Sequence, residues 1–432
     1  TQRWASWTHN CPVEGPVRKV LLMTCVLSLF AVLPVHSQSK EEQCTSAVIQ
    51  PSGSVTGGPV IWKNRDTTFL SNKVVFVDEA PYDYLCLANA GSSAGRTCWA
   101  GLNSEGFAIM NTVAYNLPND PDEMKDLEGI IMADALRTCR TVDDFTAYIE
   151  ANLGPELGSL ANFGVFDADG RAVLFEIHNN GFEVIDPAEA RNSCLVNTNY
   201  ARTGAEGKGA GYLRFERASE LFAGLPDGPV DFRTILTTFT RDTGHALVDQ
   251  PTPFDLADVS GDTEFWVNTR DTINKAYTSA AVILVGRNPD DPESVATMWV
   301  IPGEPVTAIA VPLWVEAGAS PAVLWDGDEA PMWQESKRLK LMARPFDEGG
   351  KSHYIQMTVL DNADGTGYLP GLLQVERQII ADTSVFLGGS HSAEEYRVFQ
   401  QRMAQRALEA MQSVAARAVD DDSQPSVSAV PR

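Results

Sequence analysis

Cys44 is followed directly by Thr45 and Ser46, and about twenty residues later by Lys63-Asn64-Arg65-Asp66, which places two cations and a carboxylate within four positions. A thiol needs help to act as a nucleophile, because its ordinary pKa of about 8.5 leaves it mostly protonated at neutral pH. A neighbouring cation favours the thiolate, and some base must take the proton. If Cys44 became the first residue of a chain, its own α-amino group, with an ordinary pKa of about 7.7–8.0, could be that base. The same amine could later protonate a leaving amine. No histidine would be required.

The residues upstream offer a way to expose that amine. Arg18 and Lys19 precede an apolar run, Val20 to Val35, which closes on Val35-His36-Ser37. A positive region, an apolar stretch and small residues at the cut describe a secretory signal. The run carries Pro34 and is shorter than the roughly 20 apolar residues of a membrane span. We therefore expect an extra N-terminal segment over 1–17, a signal peptide over 18–37 and a short propeptide over 38–43. The product is expected to be exported, periplasmic or extracellular, with no stable membrane association. Lys40 to Gln43 are polar, which argues against a lipid anchor on Cys44.

Of seven cysteines, Cys11 and Cys25 fall in the leader, leaving Cys44, Cys86, Cys98, Cys139 and Cys194. An odd cysteine in an oxidising compartment points to a reactive thiol or an intermolecular bond. Cys86 and Cys98 flank the turn-like stretch Asn89 to Gly95 and would face each other across a hairpin centred near Ser92. Cys139 and Cys194 could form a second bridge, and all four could equally be buried free thiols. Cys44 is the residue left over.

Other chemistries find little support. A net charge of -24 excludes the basic face that nucleic acid requires. His178, His245, His353 and His391 are scattered, without His-Glu-x-x-His or paired-cysteine spacing, so no metal or other cofactor is expected. Gly91-Ser92-Ser93-Ala94-Gly95 fits a nucleophile elbow in letters, but that motif needs a helix after it, and Thr97 onward reads as strand. The glycines between Gly204 and Gly211 lack a phosphate loop's ending, and Asp167 to Gly170 lack a calcium loop's later ligands.

The elements that must position Cys44 are mostly strands. Short apolar runs at Thr45–Gln50, Pro59–Trp62, Lys73–Val77, Tyr84–Ala88, Thr97–Gly101 and Gly106–Thr112 are separated by Gly, Ser and Asn turns. Helical patterns follow at Leu127–Arg137 and Val142–Asn152, then a meander at Phe163–Phe166, Ala172–His178 and Phe182–Ile185. Tyr212–Phe222 reads as helix, Thr278–Val285, Ala296–Ile301 and Thr307–Val315 as strands, and Ala393–Ala418 as a helix capped by Ser392. No linker divides residues 44–418, so a single domain is expected there, with a disordered tail over 419–432. Hydrophobic residues at 44% are ample for its core.

Taken in order, these motifs resemble the N-terminal-nucleophile hydrolases. The nearest likeness is to the choloylglycine hydrolase and penicillin V acylase group and the acyl-coenzyme A:6-aminopenicillanate acyltransferase-like family. Those families start with Cys-Thr and carry Arg-Asn-x-Asp soon after. Gly101 to Phe107, Asn162 to Val165, Val196 to Tyr200 and Gly211 to Arg217 resemble later landmarks. The resemblance runs roughly from Cys44 to Val315 and implies an α+β fold: a four-layer αββα sandwich of two stacked, mainly antiparallel sheets.

The resemblance also implies roles. Cys44 would be the nucleophile of a linear-amide hydrolase (EC 3.5.1.-) working through a thioester, with acyl transfer to an amine as the other fate. Its substrate would be a small acylated amine or amino-acid conjugate. Asp66 would orient the α-amine. Lys63 stands where the families have arginine, with Arg65 at their variable position, so either cation could reach Cys44, with Arg65 favoured. Asn199, then Asn197, match the side-chain oxyanion donor, with a backbone N–H near Asn111 as partner. Arg217 would brace the site or meet a substrate carboxylate. In this class Cys44 can cut its own preceding bond.

Each residue also has a plainer reading. Cys44 could be structural, Asp66 a turn acceptor, Asn197 and Asn199 loop residues, and Arg214 and Arg217 surface partners of Glu216 and Glu220. Rival functions are a dipeptidase that also begins Cys-Thr, and a secreted binding protein on a dead enzyme fold.

Overall fold

A computed structural model describes residues 42–91, 95–118, 125–346 and 349–422. The expected signal peptide, the segment before it, the propeptide through residue 41, the turn at 92–94 and the end of the tail lie outside these residues.

In chain order the strands are β1 (Gln43–Ile49), β2 (Val60–Asp66), β3 (Asn72–Val77), β4 (Tyr84–Asn89), β5 (Ala100–Asn103), β6 (Ala108–Val113), β7 (Leu160–Phe166), β8 (Ala172–His178), β9 (Gly181–Ile185), β10 (Cys194–Asn197), β11 (Trp266–Asn268), β12 (Thr278–Val285), β13 (Thr297–Ile301), β14 (Val311–Leu313) and β15 (Tyr354–Gln356). The helices are α1 (Glu128–Thr138), α2 (Val142–Asn152), α3 (Tyr212–Ala223), α4 (Phe232–Thr237), α5 (Pro331–Ala343), α6 (Met357–Leu360), α7 (Leu369–Phe386) and α8 (Ala393–Asp422).

Two large antiparallel sheets organise the molecule. One runs β10-β1-β2-β12-β13-β14 and the other runs β3 through β9 in sequence order. Alternation along the strands sets the layers, since successive side chains point to opposite faces. On β8, Ala172 and Leu174 enter a core shared with Val48, Ile61 and Leu284 of the first sheet. Val173, Phe175 and Ile177 face the other way, onto Leu136 of α1 and Phe145 and Ile149 of α2. The sheets approach closely where Gly164 faces Val48; a Cβ there would sit 2.9 Å from a Val48 methyl. On the far face of the first sheet, Trp62 lies 6.2 Å from Phe222 of α3 and 6.4 Å from Phe239. Helix α8 packs on β14, α5 and α7. Helix, sheet, sheet, helix: this is the four-layer αββα sandwich.

Some expectations shift. Cys86 and Cys98 are disulfide-bonded with Cα atoms 5.6 Å apart, but not as facing ladder residues. Cys86 opposes Gly101, β5 begins only at Ala100, and the Cys98 N–H is drawn to the Gly129 carbonyl (2.8 Å) beside α1. Cys139, which caps α1, and Cys194, which opens β10, are both free. The strand expected over Thr307–Val315 shrinks to β14, because Pro305–Thr307 coils into a 3-10 turn. Pro312 is tolerated in β14 because that strand is a sheet edge. Helix α8 continues through Asp422, past the boundary expected at 418.

Candidate active site

β1 lies between β10 and β2, and its pairing decides who meets Cys44. Cys44 opposes Arg65 and Ser46 opposes Lys63. Directly opposed residues share a face, so Cys44, Arg65 and Lys63 all look inward between the sheets. Thr45, Asn64 and Asp66 look outward toward α3. Cys44 is a free thiol, 7% exposed, with Gln43 still joined to it.

The sequence left open which cation faces Cys44; both do. The Lys63 ammonium donates to the Trp99 carbonyl (2.7 Å) and to Asn111 Oδ1 (2.7 Å) on the opposite sheet. Burial pushes it down to about 8, opposed in part by negative charge on Cys44. The Arg65 guanidinium stacks 4.7 Å from the Trp99 ring centre and donates to Asn72. Burial lowers it to about 10, again opposed by Cys44. Asn111, expected through its backbone, enters the site by its side-chain oxygen on Lys63.

The backbone of Cys44 is held from the other side. Its N–H donates to Asn199 Oδ1 at 2.8 Å. Its carbonyl accepts from Arg214 Nη1 at 2.6 Å, and the same guanidinium donates to Thr45 Oγ1 (2.8 Å) and Asn199 Oδ1 (2.8 Å). Arg214 is fully buried on the inward stripe of α3 with Ala218 and Phe222. Gly211 permits this, because α3 starts from its left-handed conformation (φ 78°) and a Cβ there would strike Arg214. Burial lowers the Arg214 pKa, with the charges of Asp66 and Cys44 opposing that shift.

Arg217, the arginine expected in the site, falls beside the stripe and binds Asp242 through Nε (2.9 Å) and Nη2 (2.7 Å). It makes no contact with Cys44. The asparagines also differ from expectation. Asn199 Nδ2 donates to the Val113 carbonyl (3.0 Å), so its oxygen, not its amide, serves Cys44. Asn197 Nδ2 donates to Thr112 Oγ1 (3.1 Å) and the Thr198 carbonyl (3.0 Å). Thr112 and Asn162, reaching from the other sheet, both bond the Thr198 carbonyl and so fix the loop that carries Asn199.

Asp66 is fully enclosed. Thr278 Oγ1 donates to its Oδ1 (2.7 Å), while Oδ2 sits 3.3 Å from Lys275 Nζ and 3.9 Å from Arg214 Nη1 without a well-aligned hydrogen bond. Lys275, Thr278, Tyr115 and Arg214 are the site residues that the sequence reading missed. Only Arg214 left a signal, as the first arginine of the Gly211 to Arg217 stretch. A cavity of about 590 Å³ opens beside this cluster, lined among others by Phe69, Leu70, Thr278, Ser279 and Trp333. Among the described residues no three His, Cys, Asp or Glu side chains gather as a metal site, and no helix is long and apolar enough to cross a membrane.

No family model and no curated protein matches this sequence. Solved structures do match over part of it. The chain is similar to a Caenorhabditis elegans N-acylethanolamine-hydrolyzing acid amidase ortholog at 14% identity, covering 58% of this chain and 95% of that one, with a TM-score of 0.36. It is similar to a conjugated bile acid hydrolase variant from Clostridium perfringens at 13% identity, covering 60% and 89%, TM-score 0.32. Penicillin V acylase from Agrobacterium tumefaciens matches at 9% identity, covering 62% and 85%, TM-score 0.28. The likeness to these structures is distant, and the residues around Cys44 carry the functional reading.

Proposed function

We propose that this chain is an exported amidohydrolase that cleaves a linear acyl–amine C–N bond through a thioester on Cys44, after first cutting its own Gln43–Cys44 bond. One observation carries the reading: the Cys44 nitrogen is held by a side-chain oxygen, Asn199 Oδ1, while its thiol shares a buried face with Lys63 and Arg65. An amide gripped this way stays gripped after it becomes an amine. A neutral amine can donate one hydrogen to Asn199 and keep its lone pair for the thiol proton.

Self-cleavage begins when Cys44 Sγ attacks the Gln43 carbonyl carbon. A C–S bond forms, the C–N bond breaks, and the thiol proton ends on the Cys44 nitrogen. Water then hydrolyses the thioester, leaving a Gln43 carboxylate on the departing segment and a free thiol and amine on residue 44. In turnover the α-amine takes the thiol proton and returns it to the substrate's leaving amine. Lys63 and Arg65 stabilise the thiolate. The unaligned oxygen of Asp66 is available to orient the new amine, and Arg214 anchors the Cys44 carbonyl. Asn199 thus also holds the amine, through its side-chain oxygen.

The substrate we propose is a small acylated amine or amino-acid conjugate, as the resemblance implies, with transfer to a second amine as the competing fate of the thioester. Phe69, Leu70 and Trp333 give the adjoining cavity apolar walls suited to an acyl group. Export is supported by the leader pattern and by the Cys86–Cys98 disulfide, which suits an oxidising compartment.

The test is intact-mass analysis of wild type and Cys44→Ala, followed by a panel of N-acyl amides. Wild type is expected to begin at Cys44 and to hydrolyse members of the panel, and Cys44→Ala to retain Gln43. Normal trimming of Cys44→Ala, or hydrolysis by it, would sink the proposal.

A further inference from the structure

The residues just before Cys44 are gripped as closely as Cys44 itself. Lys275 Nζ donates to Gln43 Oε1 at 2.6 Å and lies 3.3 Å from Asp66 Oδ2. Tyr115 Oη donates to the Glu42 carbonyl at 2.6 Å, and Thr67 Oγ1 donates to Glu42 Oε1 at 3.1 Å. These groups come from three separate segments of the chain, converging on two residues.

The ladder alone leaves this stretch weakly held. Gln43 is the first residue of β1; it pairs with Asp66 of β2, whereas pairing with β10 starts only at Ser46. One flank of residues 43–45 therefore lacks a strand neighbour, and a strand end held on one side frays readily. Self-cleavage is sensitive to such fraying, because attack needs the sulfur and the carbonyl carbon within about 3–3.5 Å and aligned. The geometry of Lys275 removes that freedom. The Lys275 N–H donates to Thr278 Oγ1 (3.0 Å), whose own proton goes to Asp66 Oδ1, so the lysine backbone is tied to the carboxylate its ammonium approaches. Its ammonium, almost wholly buried, then meets the side chain directly opposite Asp66 in the strand register.

We propose that Lys275 is a positioning residue for self-cleavage. It clasps the Gln43 side chain, with Tyr115 and Thr67 clasping Glu42, and so fixes the carbonyl that Cys44 attacks. This inference rests on the reading of Cys44 as a self-cleaving nucleophile. It also makes residue 43 a specificity position: an acceptor of glutamine length is read and an apolar side chain is not.

The experiment is cell-free synthesis of the full chain, following cleavage between residues 43 and 44 by intact mass over time. Gln43→Met keeps the length and replaces the whole carboxamide, including the oxygen that Lys275 meets, with a thioether. Losing one hydrogen bond to a charged group is expected to slow cleavage roughly 10–100-fold. Gln43→Glu, which offers Lys275 a carboxylate, is expected to restore the wild-type rate or exceed it, a rescue that a merely structural role would not produce. Lys275→Met is expected to slow wild type and to add little in the Gln43→Met background. Cleavage of Gln43→Met at the wild-type rate, with Cys44→Ala still inert, would overturn this inference alone. Strictly additive losses in the double variant would overturn it too, by showing that Lys275 acts through Asp66 only. Trimming of Cys44→Ala would instead overturn the underlying reading.

Discussion

Replacing Arg214 should do far more damage to the chemistry of Cys44 than replacing Arg217, although the two lie three residues apart on one helix. Arg214 makes hydrogen bonds of 2.6 Å to the Cys44 carbonyl and 2.8 Å to Thr45 Oγ1 and to Asn199 Oδ1, all with no solvent exposure. In Arg214→Met the Cys44 carbonyl and Thr45 lose a buried donor, and Asp66 loses one of its two cationic neighbours. Each hydrogen bond from a charged group is worth about 1.5–3 kcal/mol, and these share one donor, so they do not simply add. Breaking a buried charge cluster of this kind costs about 3–5 kcal/mol, the stability loss we expect. Misplacing the Cys44 backbone by about 1 Å should slow self-cleavage about 100-fold per folded molecule. Arg214→Lys retains the charge but not the fork, so it should recover most of the stability and little of the rate. Arg217→Met breaks a partly exposed pair with Asp242 and should cost about 1–3 kcal/mol with a cleavage rate within about twofold of wild type. The assay is urea unfolding beside intact-mass kinetics of the same preparations. If Arg217→Met abolished cleavage and Arg214→Lys left it intact, the geometric argument would be refuted.

Two further outcomes follow from burial. The Lys63 ammonium has a folded pKa lowered to about 8 against an ordinary 10.5, so between those values the unfolded chain binds more protons and this group makes stability rise with pH. The difference in unfolding free energy between wild type and Lys63→Met should therefore shift in favour of wild type by about 3 kcal/mol from pH 8 to pH 10.5, and a flat difference in urea melts would refute it. Cys139 and Cys194 are both pushed up to about 12 by burial, so iodoacetamide at pH 7.5 should leave them unlabelled in the native state, as peptide mass mapping would show. Labelling of either as fast as Cys44 would contradict the protonated state that their raised pKa values imply.

Much of the fold was legible because strand and helix periods are local. The alternation of Ala172 to His178 and the helical spacing of Val142 to Asn152 are written within a few residues, and the structure places both elements where the pattern puts them. The strands that escaped notice, β10, β11 and β15, are three or four residues long, too short to show a period. The Cys86–Cys98 pairing was legible from spacing, but its off-register geometry was not, because the Gly129 carbonyl that draws Cys98 away lies about thirty residues on.

What the sequence determined by itself is the chemistry on offer: the Cys44 thiol, two cations and a carboxylate soon after, and sheets to hold them. The alternation of Lys63, Asn64, Arg65 and Asp66 already divides cations from carboxylate, since neighbours on a strand point apart. Which of them meets Cys44 was decided by register between β1 and β2, and register is a property of two strands together. The choice of Arg214 over Arg217 depended on which stripe of α3 turned inward, and Lys275 entered from a loop more than two hundred residues away. Contacts between residues so distant in the chain exist only after the two sheets and α3 have packed, because burial, not sequence proximity, brings their polar ends together.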